Sequence, residues 1–183
     1  MKFNLIRYRS RLLRALLRVY WLKFLGMKIG KKVSLGSITC EWPNKVFIGD
    51  EVVIQNNVDF RLGLPFDPAN FIKVDEGTFI GRNCELNAGS KILIGKHCLI
   101  ASNTTFVDLA HEYRMNTLIK NQRVVSKPII VEDDVWIGSR CVVLQGVVIG
   151  RGSIVGAGSV VNKSIPPDQI WAGNPARFIK NRE

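Results

Sequence analysis

The sequence predicts an all-β body, wound as a three-sided coil and preceded by one amphipathic helix. Three observations carry that prediction. An aliphatic residue recurs at every sixth position over most of the chain, and glycine or another small or polar residue usually follows it. Nearly all the excess positive charge lies in the first 32 residues, ahead of most of that repeat.

The 183 residues, 46% hydrophobic and 22% charged, suit one soluble domain with a core of its own. Residues 1–32 hold ten Lys or Arg and no Asp or Glu; of the net charge of +11, subtracting that +10 leaves +1 for residues 33–183. A nucleic-acid binder would spread its cations over a folded docking surface with aromatic platforms or a reading motif. The body has neither, so no nucleic-acid partner is expected.

Residues 1–28 read as a basic amphipathic helix. Arg7, Arg11, Arg14 and Arg18 follow helical spacing, and Leu5, Leu12, Leu13, Leu16, Leu17, Tyr20, Trp21 and Phe24 supply apolar area around them. The longest uncharged run here is four residues, far from the roughly 20 that a spanning helix needs. Nor does the segment have the uninterrupted apolar stretch of a secretory signal. Two roles stay open: residues 1–26 lying on an anionic membrane surface, or a helix that only caps the domain.

Residues 29–171 carry the repeat. From Val131 the hexads read VEDDVW, IGSRCV, VLQGVV, IGRGSI, VGAGSV and VNKSIP, and the same register appears upstream in IGKKVS, IGDEVV, IGRNCE and IGKHCL. An aliphatic residue every six positions fits neither a helix face nor an alternating strand. It fits a coil with six residues per side, three sides making a turn of a prism. The aliphatic residue then points to the axis, the glycine beside it is expected to permit a tight turn, and the fifth position must be small. Loops at 60–73 and 107–130 interrupt the period. Cys84, Cys98 and Cys141 occupy fifth positions and read as small buried filler. With Cys40 they show no zinc-like spacing and fit reduced thiols of a cytoplasmic protein. The C-terminal segment 172–183 is expected to carry a short helix.

These hexads, with the ending WAGNPARFIK, resemble the hexapeptide-repeat acyltransferases over residues 29–182, and among them the sugar and polysaccharide O-acetyltransferases. The resemblance implies a left-handed parallel β-helix, an exception to the usual right-handed crossover. It also implies a homotrimer with sites between neighbouring prisms, acetyl-CoA as acyl donor, a saccharide acceptor and no metal.

Acetyl transfer from a thioester needs a base, an oxyanion donor and a groove for coenzyme A. The chain has two histidines. His97 sits at a fourth position, expected at a solvated corner. His111 lies in FVDLAHEYR in the 107–130 loop, and a loop held on a rigid scaffold is where catalytic groups gather. An imidazole with a pKa of about 6.5 suits a base. The resemblance aligns this segment with an Asp-His-x-His pattern in which Asp108 and His111 match and Leu109 replaces the first histidine, leaving the acceptor unnamed. Asp108 is expected near the substrate, and either Asp108 or Glu112 to orient the imidazole. By resemblance, Asn87 contacts acceptor or acetyl group. Trp136 and Ser139 line the pantetheine groove, with an amide near Ser139 as oxyanion donor. Ala157 and Lys163 are placed two coils on, and Lys163, Arg177 and Lys180 take the nucleotide phosphates.

The leading expectation is O-acetylation of a sugar hydroxyl in surface polysaccharide or lipopolysaccharide biosynthesis, in the cytoplasm or at the inner face of the membrane. N-acetylation of a nucleotide-linked amino sugar is the alternative, though such relatives commonly carry an added N-terminal nucleotide-binding domain and residues 1–28 leave no room for one. A β-helical carbonic anhydrase needs three zinc-binding histidines. A non-catalytic scaffold would leave the 107–130 loop without chemistry.

Overall fold

The computed structural model describes residues 2–183, with side chains from residue 13 onward. Leu5, Arg7, Arg11 and Leu12 therefore lie outside the described side chains. One helix, α1 (Lys2–Phe24), leads into a left-handed parallel β-helix with three faces. The first and third faces each stack six strands and the second stacks eight. Where the hexads are unbroken the stacking register is one 18-residue turn: Trp136 lies over Ile154, Ile137 over Val155 and Val142 over Val160.

Within each hexad both the first and the fifth residue point inward. Ile137, Cys141, Val143, Val147 and Ile149 are all buried to 1% exposure or less. The fifth position is more than filler, because its hydroxyl or thiol donates to a carbonyl of a neighbouring turn. Thr78 Oγ1 donates to Gly95 O at 2.7 Å, Cys98 Sγ to Glu132 O at 3.1 Å, and Ser153 Oγ to Pro166 O at 2.7 Å. Six of these positions therefore choose small donors, Thr78, Cys84, Cys98, Thr104, Cys141 and Ser153, while Ser159 Oγ donates within its own turn to Gly156 O.

The tight turn falls elsewhere than expected. Positive φ belongs to the fourth position, as at Asp134 (57°), Arg140 (60°) and Gly158 (72°), and His97 stands at such a corner with φ 55°. The second-position glycine answers a different demand, the close approach of successive coils. A Cβ at Gly138 would lie 2.5 Å from Ala157 N.

The helix caps the first end of the prism through Leu22, which is buried, and through half-buried Ala15, Arg18 and Val19. Arg18 Nη1 donates to Leu35 O at 3.2 Å and also to Gly36 O. The arginine stripe thus turns toward the prism at Arg18, while Leu13, Leu16, Leu17, Tyr20 and Phe24 face outward. Among the described residues no helix is long and apolar enough to cross a membrane.

At the other end there is no short helix. Arg177–Asn181 is a strand, antiparallel to Gln169–Ala172. An open edge on the second face would leave a row of unpaired backbone groups, and Phe178 and Ile179 favour the extended chain that covers it. Two excursions leave the coil. One runs over 63–70, between strands ending at Leu62 and starting at Phe71; the other runs over 108–128 and carries its own antiparallel pair, Leu109–His111 with Val124–Ser126.

Candidate active site

The second excursion springs from the end of Thr105–Val107 on the third face. It closes as a hairpin in which Leu109 pairs with Ser126 and His111 with Val124. Alternation along the strand decides what each side chain meets. Leu109 packs into a groove floored by two glycines: a Cβ at Gly89 would overlap its side chain, and one at Gly63 would come within 3.1 Å of it. Leu109, Asn87, Val107 and His111, with Gly63 and Leu64 of the other excursion, line a cleft of about 420 Å³. Asn87 stands directly beneath Val107 in the stacking register, so its amide comes up from the prism wall. His111 is solvent-exposed at this cleft.

Asp108 is not in the cleft, although a substrate contact was expected of it. It has no exposed surface. One carboxylate oxygen accepts the Gly89 N–H at 2.5 Å and the other the Ser90 N–H at 2.9 Å. Burial pushes its pKa up, and the amide donors oppose that shift. Its chemistry is that of an anchor holding the hairpin base, which Lys127 N closes on Asp108 O at 3.0 Å. Glu112 is held near Arg114 at 3.7 Å instead of meeting the imidazole. Neither carboxylate orients His111, whose ring has no hydrogen-bond partner among the described residues.

The other expected residues form a second group. Trp136, 51% exposed, stands on the outer side of the second face between Leu99 and Ile154. Ser139 and Ala157 occupy the corner that follows. Ala157 is one coil above Ser139, not two, because 18 residues make one turn. The neighbouring amides are committed, Gly138 N to Val155 O and Arg140 N to Ser102 O, whereas Ser139 N has no acceptor among the described residues. Lys163 lies at a different corner, past the third face, two coils beyond the His111 excursion. Arg177 and Lys180 lie on the terminal strand, with Lys180 Nζ 2.9 Å from Glu183 Oε1. A single chain therefore gathers His111 with Asn87, but puts Trp136, Ser139 and Ala157 around another edge of the prism.

A family described as bacterial transferase hexapeptide (six repeats) matches residues 128–163. The hexapeptide-repeat containing acetyltransferase of Vibrio cholerae superposes with a TM-score of 0.60 at 30% identity, covering 92% of this chain and 81% of that one. The chain belongs to the hexapeptide-repeat acyltransferases. Similarity extends to galactoside O-acetyltransferase of Escherichia coli, 38% identical over 62% of this chain and 59% of the relative. It extends as well to AntD, an N-acyltransferase from Bacillus cereus solved with dTDP and 3-hydroxybutyryl-CoA, with a TM-score of 0.77, 26% identity and coverage of 90% and 88%. The chain spans between 41 and 62% of the length of the galactoside enzyme and two further curated relatives.

For a hexapeptide-repeat acyltransferase, the cleft is lined by an exposed imidazole, a carboxamide and largely apolar side chains. Sequence reasoning missed Gly63, Leu64, Gly89 and Val124. None lies on the aliphatic period, and Leu109 is understood only once Gly89 is known to lie under it.

Proposed function

We propose that this chain transfers the acetyl group of acetyl-CoA to a saccharide hydroxyl, with His111 as general base. The observation that carries the reading is the exposed His111 imidazole at the cleft that Asn87 also lines. In that cleft the neutral imidazole takes the hydroxyl proton as the sugar oxygen attacks the thioester carbonyl. Collapse of the tetrahedral intermediate breaks the C–S bond, and the imidazolium returns its proton to the departing thiolate. The products are an O-acetyl sugar and free coenzyme A.

The uncommitted Ser139 N–H is the oxyanion donor in this reading, with Trp136 and Ala157 along the pantetheine and Lys163, Arg177 and Lys180 toward the phosphates. Since those residues occupy another edge of the prism than His111, the reading requires a homotrimer in which neighbouring chains complete each site. Outward apolar residues of the second face, Phe79, Leu99, Ile154 and Ile170, support such packing.

The exposed stripe of α1, with Arg14 and Lys23 beside it, supports contact with an anionic membrane from the cytoplasmic side, where lipid-linked saccharides for the cell surface are assembled. Incubation with acetyl-CoA and a panel of neutral and amino sugars tests the reaction, with products identified by mass and alkali lability. An alkali-labile ester supports the O-acetyl reading. A stable amide favours the second reading, acylation of an amino sugar, which the likeness to AntD supports. Absence of transfer to every acceptor together with no acetyl-CoA hydrolysis would reject both.

A further inference from the structure

Between α1 and the first three coils lies a second cleft, of about 460 Å³, into which Arg14, Arg18 and Arg82 converge with Ser34, Gln55 and Asn56. We infer that it binds a phosphate group. No Asp or Glu lines it, and none of the three arginines forms an ion pair among the described residues. Like charges held around one concavity repel, and an anion between them converts that repulsion into attraction.

The arrangement is also built in advance. Arg18 is half-buried, and its Nη1 is fixed on the carbonyls of Leu35 and Gly36, so the guanidinium cannot swing away and its other N–H groups remain for a ligand. Asn56 Oδ1 accepts Ser37 N at 2.9 Å, which leaves its amide nitrogen as a further donor. Planar guanidinium forks suit phosphate oxygens better than they suit a single carboxylate oxygen or chloride. The cleft lies at the opposite end of the prism from Lys163, Arg177 and Lys180, so it is separate from the residues assigned to coenzyme A and does not depend on that assignment. The exposed apolar stripe of α1 runs beside it, and a membrane phosphodiester and a soluble phosphate are the two sources of such a group.

The test uses the full chain and the double variant Arg14→Gln/Arg82→Gln, with Arg18 left in place because it holds the helix. Calorimetric titration with inorganic pyrophosphate reads the site directly. Wild type is expected to bind and the double variant to bind at least about tenfold more weakly, since each lost charge-assisted hydrogen bond is worth about that factor. Unliganded melting temperature and acetyl transfer should be unchanged. A charge-keeping variant, Arg14→Lys/Arg82→Lys, should bind more tightly than the Gln variant and more weakly than wild type, which guards against a folding defect. Cosedimentation with phosphatidylcholine vesicles, with and without phosphatidylglycerol, identifies the source. Loss of phosphatidylglycerol-dependent binding in the single variant Arg82→Gln, which leaves the helix charges in place, assigns the site to lipid headgroups, and retention assigns it to a soluble phosphate. No pyrophosphate binding by wild type, or equal binding by the Gln variant, overturns the inference.

Discussion

The Asp108 carboxylate accepts the backbone N–H of Gly89 at 2.5 Å, tying the base of the His111 hairpin to the coil below it. Burial holds the pKa of this carboxyl above its ordinary value of 3.8. The folded state therefore holds the proton more tightly than the unfolded chain, so this group favours folding most at low pH, and that contribution is lost as pH rises through the folded pKa. Asp108→Asn removes the titration. Urea unfolding of both proteins from acid to neutral pH should show wild type losing stability relative to the variant as pH rises from about 3.8. A flat or opposite trend would contradict the upward shift and mean that the Gly89 and Ser90 amides outweigh burial.

The two glycine positions of the hexad should respond differently to alanine. At Gly138 the new Cβ meets Ala157 N at 2.5 Å, and the coils must separate to admit it. At Gly158 nothing lies within 4 Å, and only the φ of 72° is strained. Gly158→Ala should cost about 1–2 kcal/mol, from the left-handed backbone alone. Gly138→Ala should cost about 3 kcal/mol or more, as overpacking does when backbone is the obstacle. Denaturant midpoints rank the pair directly.

The thiols should be inert in the folded protein. Burial pushes Cys98 up to about 11 and also raises Cys84 and Cys141, while Cys40 too is pushed up to about 11 by partial burial. Reactivity follows the thiolate, so a colorimetric thiol reagent at pH 8 should titrate fewer than one thiol promptly in native protein and all four after denaturation. Prompt labelling of Cys98 or Cys141 in the native state would mean that the coil opens.

Trp136 offers a separate check on the donor groove. Half-exposed on the second face, it contributes little to the core, so Trp136→Ala should leave the melting temperature within a few degrees. The apparent KM for acetyl-CoA should rise about tenfold, the worth of one lost aromatic contact, with the acceptor KM nearly unchanged. Equal shifts in both constants would place Trp136 outside the groove.

What the sequence could disclose follows from which interactions are local. Ile137, Val143 and Ile149 announce the prism because one rule, repeated along the chain, sets every inward residue. The C-terminal strand did not announce itself, since Arg177–Asn181 is extended only because an unpaired edge awaits it at Gln169–Ala172. Arg18 reads as part of a basic stripe until the prism supplies the Leu35 and Gly36 carbonyls that turn it inward. His111 was legible as the candidate base because the chain has only one other histidine, at a corner. Its surroundings were not, because Gly89 and Gly63 come beneath Leu109 from other coils.

Whether His111 takes the acceptor proton is read from the rate of acetyl transfer by His111→Ala. With the best acceptor from the sugar panel and saturating acetyl-CoA, kcat is expected to fall by about 10²–10⁴-fold, with trimer assembly and acetyl-CoA affinity preserved. A kcat within about threefold of wild type, well below what a general base contributes, would contradict that role.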